Sequence, residues 1–225
     1  MPEEYDLIVI GGGPGGVAAA QRAAKYNKKT LVIENAGWGG TCAHRGCIPT
    51  KALLTCSKRW ADLKKLKRLG INVLETGLDF SAIKKHQQQA IKIAALGAHK
   101  MLADAQAETK FGTGEILSPR EVQYKDAEGN IRTFFTENII IAWGARPQLL
   151  PQIQLSERIL TSDGLLNMEK LPESIVIVGA SVIGVEFATC YAELGVKVTL
   201  VELLDRILPY EDQEAAALLL QELER

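Results

Sequence analysis

Four consecutive apolar residues, Leu7 to Ile10, follow a single acid at Asp6 and stop at a glycine. A short apolar run without alternation predicts a strand over Asp6–Ile10 that is buried on both faces. The alanine-rich stretch from Pro14 to Asn27 reads as a helix, and Thr30 to Glu34 reads as a second strand. The loop between strand and helix is Gly11-x-Gly13-x-x-Gly16, with Glu34 eighteen residues after its last glycine. Glycines there permit a tight turn and close backbone approach, and the helix N-terminus offers N–H groups to a pyrophosphate. An acid at the end of the second strand accepts hydrogen bonds from a ribose. A bare strand–helix turn with no ligand would carry the same glycines.

The pattern recurs. Ser174 to Val178 is a second buried strand, followed by Gly179-x-Ser181-x-x-Gly184, a helix to Leu194 and a strand from Lys197 to Glu202. Gly11 to Glu34 and Gly179 to Glu202 span the same 23 positions, and the two copies lie 168 residues apart. Chance explains one such unit far more easily than two. Ser181 stands at the middle glycine of the second copy, where its side chain crowds a pyrophosphate or its hydroxyl contacts one.

Between the copies the pattern changes three times. Ser57 to Leu69 places Trp60, Leu63 and Leu66 on one helical face and lysines and arginines on the other, most simply a solvated face. Ser81 to Ala107 is a long helical pattern carrying His86 and His99, read as structural. Glu115 to Ile141 alternates, with a turn at Glu128-Gly129-Asn130, and predicts a small antiparallel meander. Pro147, Pro151 and Pro172 mark the boundary between the halves, and a last helix begins at Asp212.

The run Gly39-Gly40-Thr41-Cys42-Ala43-His44-Arg45-Gly46-Cys47-Ile48-Pro49-Thr50-Lys51 carries two cysteines five apart. On a regular helix that spacing rises about 7.5 Å, beyond the ~7 Å between Cα atoms that a disulfide tolerates. Joining Cys42 to Cys47 therefore needs a distorted turn, and Gly46 supplies the freedom for one. Pro49 suits the first turn of a following helix. Thiols beside a helix N-terminus and near Arg45 or Lys51 have depressed pKa values and can exchange with a dithiol. Three readings stand at this point: a redox pair, a zinc site of Cys42, His44 and Cys47, and inert buried thiols. His44 is a thiol-tuning group or, more simply, a solvent-facing loop residue. Cys56 and Cys190 fall inside helical patterns and read as small core residues.

Composition narrows the field. The 225 residues are 47% hydrophobic and 24% charged with a formal net charge of −1, the balance of a globular protein. No net field attracts nucleic acid or an anionic membrane. The N-terminus is acidic, the apolar stretch after it is broken by glycines and proline, and no run reaches a membrane span. With four cysteines and no leader, the expectation is a reducing compartment, the cytoplasm.

The sequence resembles the pyridine nucleotide–disulfide oxidoreductases along its whole length. The matching residues are Gly11 to Gly16, the Gly-Gly-Thr-Cys…Gly-Cys-Ile-Pro-Thr-Lys run and Ile139-Ile140-Ile141-Ala142-x-Gly144. To these are added Leu171-Pro172-Glu173-Ser174, Gly184-Val185-Glu186-Phe187-Ala188, Val201-Glu202 and Arg206-Ile207-Leu208-Pro209. The branch it resembles most oxidises dihydrolipoamide with NAD and serves cell redox homeostasis; mercuric and glutathione reductases are the alternative branches. The resemblance implies an α/β fold. A Rossmann-like, three-layer FAD-binding domain with a small meander spans residues 1–150, without its final segment. The first half of a second Rossmann-like domain, for NAD, spans 151–225, and the dimerisation domain is absent.

The same resemblance assigns roles. Gly11, Gly13, Pro14, Gly16, Glu34, Gly40 and Thr41 hold FAD, Lys51 sits near its reacting part, and Gly114, Ala142, Trp143 and Gly144 also touch it. Cys42 exchanges with the substrate dithiol and Cys47 passes electrons to the flavin as a redox disulfide; no metal is implied. Gly179, Ser181, Ile183, Gly184 and Glu186 bind NAD, with Glu202 on its adenosine ribose, where a carboxylate repels a 2′-phosphate. The implied partners are a lipoyl-bearing protein of a 2-oxoacid dehydrogenase or glycine cleavage complex and a second subunit. Three departures stand out: Trp143 replaces a usual threonine, Ala180 and Ser181 replace glycines, and the family runs to about twice this length. The expectation is an N-terminal fragment of such an enzyme, inactive alone; the alternative is a truncated, non-catalytic nucleotide-binding module.

Overall fold

Residues 3–73 and 77–224 are described in the structure, a computed structural model. Met1, Pro2 and Arg225, at the chain ends, lie outside them. The chain groups into two units, Met1–Pro49 with Gln89–Ile153 and Thr50–Gln88 with Gln154–Arg225. Residues 50–88, inside the stretch expected to form the first domain, group with the C-terminal stretch.

In the first unit, β1 (Glu4–Ile10), helix α1 (Pro14–Ala24) and β2 (Thr30–Glu34) form the expected βαβ unit. The helix stops three residues short of Asn27, which adopts a left-handed conformation (φ 52°) and turns the chain. α2 (Gly40–Arg45) and two long helices, α3 (Cys47–Leu66) and α4 (Phe80–Asp104), follow, and both long helices run across the division between units. β3 (Glu108–Phe111), β4 (Thr113–Ser118), β5 (Glu121–Lys125) and β6 (Ile131–Ile141) complete one six-stranded sheet in the order β3-β2-β1-β6-β5-β4.

The expected meander is therefore not a separate sheet. The first part of β6 pairs antiparallel with β5, and from Phe135 onward the same strand pairs parallel with β1. Both faces of the parallel core are covered, which explains the unbroken apolar runs. Ile8, Ile10, Leu31 and Ile33 join Val122 and Phe134 in one cluster, while Leu7, Val9 and Val32 pack with Val17, Ala20, Ala23 and Leu102.

In the second unit, β7 (Ser174–Val178), α6 (Val182–Glu193) and β8 (Lys197–Val201) repeat the motif, with β7 and β8 parallel. A short α5 (Ser162–Leu166) precedes it, and α7 (Gln213–Leu223) begins where Asp212 accepts a hydrogen bond from the Ala215 amide at 2.9 Å. The core gathers Leu53, Leu165, Leu166, Phe187, Cys190, Tyr191, Leu194 and Val196. Buried Ser57 ties α3 to α6 by donating to Glu193 at 2.5 Å. Among the described residues no helix is long and apolar enough to cross a membrane.

Gln87 on α4 is 1% exposed, and neither its amide nitrogen nor its oxygen has a hydrogen-bond partner. It lies one turn beyond Ile83, which packs in the core, and Lys84, whose ammonium donates to the Leu166 carbonyl. An unpaired buried amide costs about 1–3 kcal/mol. Gln87→Met, nearly equal in volume, is therefore expected to raise the melting midpoint by several degrees; an unchanged or lower midpoint would show the amide to be paired.

Burial pushes the Cys190 thiol up to about 12, and Cys56 is raised by the same cause. The unfolded thiol titrates near 9, so between these values the unfolded state binds fewer protons and stability falls as pH rises. Tyr191, also raised by burial, adds to the trend. The fall in melting midpoint from pH 9 to 12 is expected to be smaller in Cys190→Ala. Iodoacetamide at pH 8 should modify exposed Cys47 in the reduced, folded chain and reach Cys190 only after unfolding.

Candidate functional site

The first glycine loop is built around two close backbone approaches. A β-carbon on Gly16 would lie 1.8 Å from the Gly11 carbonyl oxygen, and one on Gly11 (φ +114°) would lie 2.1 Å from the Ala142 oxygen. These glycines are demanded by the fold itself. Gly13 is different. A β-carbon there would meet only the Gly40 α-carbon at 3.6 Å, an ordinary contact. Gly13 is also the N-cap of α1, and it makes no side-chain capping bond. The space over Gly13 therefore stays open at a helix N-terminus, where the first-turn N–H groups have no intrahelical partner.

The structure brings Gly40, Thr41 and the turn Ala142-Trp143-Gly144 to this cradle, while Lys51 groups with the second unit. Ala142 N donates to the Ile10 carbonyl at 2.8 Å, setting the turn Ala142-Trp143-Gly144 beside Gly11. Gly144 (φ +77°) lies within 3.4 Å of the Thr41 hydroxyl, counted from where its β-carbon would be. Trp143 keeps 66% of its surface exposed on that turn. Gly114 lies over the side chains of Ile10 and Ile33.

Glu34 does more than the sequence implies. It is 6% exposed, and its carboxylate accepts from the amides of Gly12 at 2.6 Å, Ala36 at 2.6 Å and Gly37 at 3.0 Å. Through these bonds the acid clamps the glycine loop to the strand end. Sequence reasoning missed Trp38 altogether. Its ring fills the space over Gly12, where a β-carbon would come within 2.7 Å, and it stacks on His99 with centroids 5.2 Å apart. Its carbonyl lies 3.0 Å from His44 Nε2, which therefore carries the proton. His44 is thus half-buried and tied to the preceding loop, not a free solvent-facing residue. His99 likewise has an aromatic neighbour that its helical spacing did not announce.

Cys42 and Cys47 sit on different helices. α2 ends at Arg45, Gly46 breaks the chain direction (φ −141°, ψ −118°), and Cys47 opens α3. A β-carbon on Gly46 would lie 3.1 Å from the Thr41 oxygen and 3.4 Å from the Cys42 α-carbon, so the turn closes tightly on the first cysteine. Cys42 is half-buried and Cys47 exposed. Pro49 falls in the first turn of α3, as its missing N–H favours. Among the described residues no three His, Cys, Asp or Glu side chains are grouped to hold a metal, and Cys42, His44 and Cys47 are no exception.

The second glycine loop repeats the first almost bond for bond. Gly179 (φ +102°) donates to Val201 O as Gly11 donates to Ile33 O, and a β-carbon on Gly184 would lie 1.9 Å from the Gly179 oxygen. Glu202 accepts from Ala180 N at 2.6 Å, Leu203 N at 2.7 Å and Leu204 N at 3.0 Å. The Ala180 amide, then those of Leu204 and Leu203, hold its carboxyl below the usual range. Unlike Glu34, Glu202 stays partly open to solvent. Ser181 is the N-cap of α6 and spends no side-chain bond on capping, and Ile183 is 57% exposed in the first turn. Lys51 on α3 and Glu186 on α6, assigned by resemblance to different cofactors, meet at 2.5 Å.

Known proteins share this geometry. The family described as pyridine nucleotide-disulphide oxidoreductase matches residues 5–225. A dihydrolipoyl dehydrogenase of Bacillus subtilis is 38% identical over 224 residues, covering 95% of this chain and 47% of its own length. One from Acholeplasma laidlawii is also 38% identical, covering 95% of this chain and 64% of its own length. Among solved structures, LpdA from Mycobacterium tuberculosis superposes with a TM-score of 0.88 at 28% identity, over 99% of this chain and 49% of that one. The HOCl-induced flavoprotein disulfide reductase RclA of Escherichia coli, as a Cu(II) complex, gives 0.79 at 28% identity, over 99% and 47%. The chain spans about half the length of most of these relatives. With the paired loops, the two-cysteine turn and a match over nearly every residue, the chain belongs to the pyridine nucleotide–disulphide oxidoreductases.

Proposed function

We propose that this chain is the cofactor- and disulfide-bearing part of a dihydrolipoyl dehydrogenase. FAD is held by the first glycine loop, NAD by the second, and Cys42 and Cys47 form the redox pair. The observation that carries the reading is the double loop: two copies of one acid-clamped cradle, with the cysteine turn directly after the first. A thiolate of the substrate dithiol attacks the Cys42 sulfur, breaking its bond to Cys47, which leaves as thiolate. The second substrate thiol then displaces Cys42. The substrate leaves as a disulfide and the protein pair is left reduced; of the two thiol protons, one would leave with the electron pair as hydride and the other goes to solvent. FAD held by the first glycine loop would supply the acceptor for that electron pair, and NAD held by the second would supply the final hydride acceptor.

This chain's residues supply position and charge. Gly13, Pro14 and the first turn of α1 receive the pyrophosphate, while Gly40, Thr41 and the turn Ala142-Trp143-Gly144 border it. Lys51, held by Glu186, offers positive charge where negative charge develops. The preference for NAD rests on Glu202 and on its neighbours in the loop beyond β8. Arg206, the nearby cation, donates to the carbonyls of Pro209 and Glu211 within its own loop, and Leu203 and Leu204 are apolar. Among the described residues of that loop, Arg206 is the cation and it is engaged by backbone carbonyls, which favours NAD over the NADP of a glutathione reductase. A lipoyl domain of a 2-oxoacid dehydrogenase or glycine cleavage complex is the partner in this reading. A second subunit and a cytoplasmic setting complete it.

Titration of the purified chain with FAD, followed by visible absorption, tests the reading directly. Gly13→Ala is expected to melt close to the parent, because the protein leaves room for the β-carbon. It should bind FAD at least about tenfold more weakly, a loss of ~1.4 kcal/mol. Cys42→Ser and Cys47→Ser should keep flavin but stop its reduction by dihydrolipoamide. A chain that binds no flavin would leave the reading of a non-catalytic module.

A further inference from the structure

The residue after the first glycine of each loop is gripped from both sides. Gly12 gives its N–H to Glu34, and its carbonyl accepts from Gly39 N at 2.8 Å. Ala180 gives its N–H to Glu202, and its carbonyl accepts from Leu208 N at 2.8 Å. The donor in the first unit is a glycine at φ +93°, where left-handed backbone is free of strain. The donor in the second unit is a leucine at φ +47°. A bulky residue there is an outlier, and a following proline pushes it further toward extended backbone. Leu208 nevertheless precedes Pro209.

The surroundings hold it in place. Leu208 packs against the cluster of Ala180, Val185, Ile207 and Ala216, the last on α7. Arg206 braces the same loop by donating to the carbonyls of Pro209 and Glu211, and Glu211 N donates to the Leu208 carbonyl at 3.0 Å. The backbone conformation, not the side chain alone, aims the Leu208 N–H at Ala180.

We propose that Leu208 is a positioning residue for dinucleotide recognition: its left-handed backbone holds the Ala180 carbonyl, restricting the backbone of Ala180 so that Ala180 N–H presets the Glu202 carboxylate for a ribose diol. This rests on the reading that the second unit takes a dinucleotide. The Ala180 N–H and carbonyl lie in successive peptide planes, so a bond at each restricts rotation about both backbone bonds of Ala180 and keeps its N–H on Glu202. The carboxylate then meets its ligand with its orientation already set.

Four variants of the 225-residue chain separate this role from plain packing. Leu208→Gly and Leu208→Asn accept left-handed backbone but discard the apolar side chain, whereas Leu208→Ile and Leu208→Ala keep apolar bulk to different degrees and resist that backbone. Hydrogen exchange at the Ala180 amide, measured without ligand, should quicken about tenfold or more in the Ile and Ala variants and stay near the parent in the Gly and Asn variants. The Gly12 amide serves as the control and should not change. NAD affinity, by calorimetry, should fall in the same order. A packing role predicts the reverse, with Ile the best tolerated and Gly the worst; that order, or equal effects in all four, overturns the proposal. If the exchange order holds but the parent binds no NAD, the latch stands and the dinucleotide reading falls.

Discussion

The structure depends on a carboxylate placed at the end of a parallel strand and turned back onto the loop after the neighbouring strand. Glu34 and Glu202 each collect three backbone amides, one from the glycine loop and two from the segment after the acid itself. Without that clamp, two strand ends and a helix start would meet with unpaired N–H groups near the core. With it, the loop is held open enough to receive a phosphate. The same acid is expected to contact a ribose, and the two roles do not exclude each other, because a carboxylate has about four acceptor sites. Structure claims three of them first.

The two copies show how a repeated device tolerates different residues. Over Gly12 lies the ring of Trp38, and the missing β-carbon makes room for it. At the matching place in the second unit the loop residue is Ala180, fully buried in a cluster with Val185, Ile207 and Ala216. Ala180 is therefore no defect in the second motif. Its methyl group occupies core, and its backbone keeps the bonds that matter.

Much of this was legible because glycine and periodicity leave plain marks. β2, β7 and β8 begin where the apolar runs begin, and α7 starts at the aspartate that caps it. The break between the cysteine-bearing helices falls at Gly46, the residue whose freedom the sequence marks. Other features leave no mark. Nothing in a leucine announces left-handed backbone, so Leu208 passes unread. In the run His86-Gln87-Gln88-Gln89 only packing decides that the first glutamine is buried. Alternation marks β6 as a strand but cannot say that it changes partner and direction of pairing along its length. Trp38 reads as a loop aromatic until its stacking on His99 and its cover of Gly12 are seen.

The Lys51–Glu186 pair adds little to folding and much to the placement of one side chain. Lys51 is 56% exposed at its side chain, and such pairs add only about 0–1 kcal/mol to stability. Stability is therefore a poor reason for this contact. A lysine on the second turn of one helix, held at 2.5 Å by a glutamate on the second turn of another, has lost the freedom its long stem would otherwise have. That restraint matters only if the ammonium must stay where it is. A cation restrained in this way can stabilise developing negative charge without rearrangement. Both partners lie in the second unit, so the contact fixes α3 against α6 there whatever the ammonium faces.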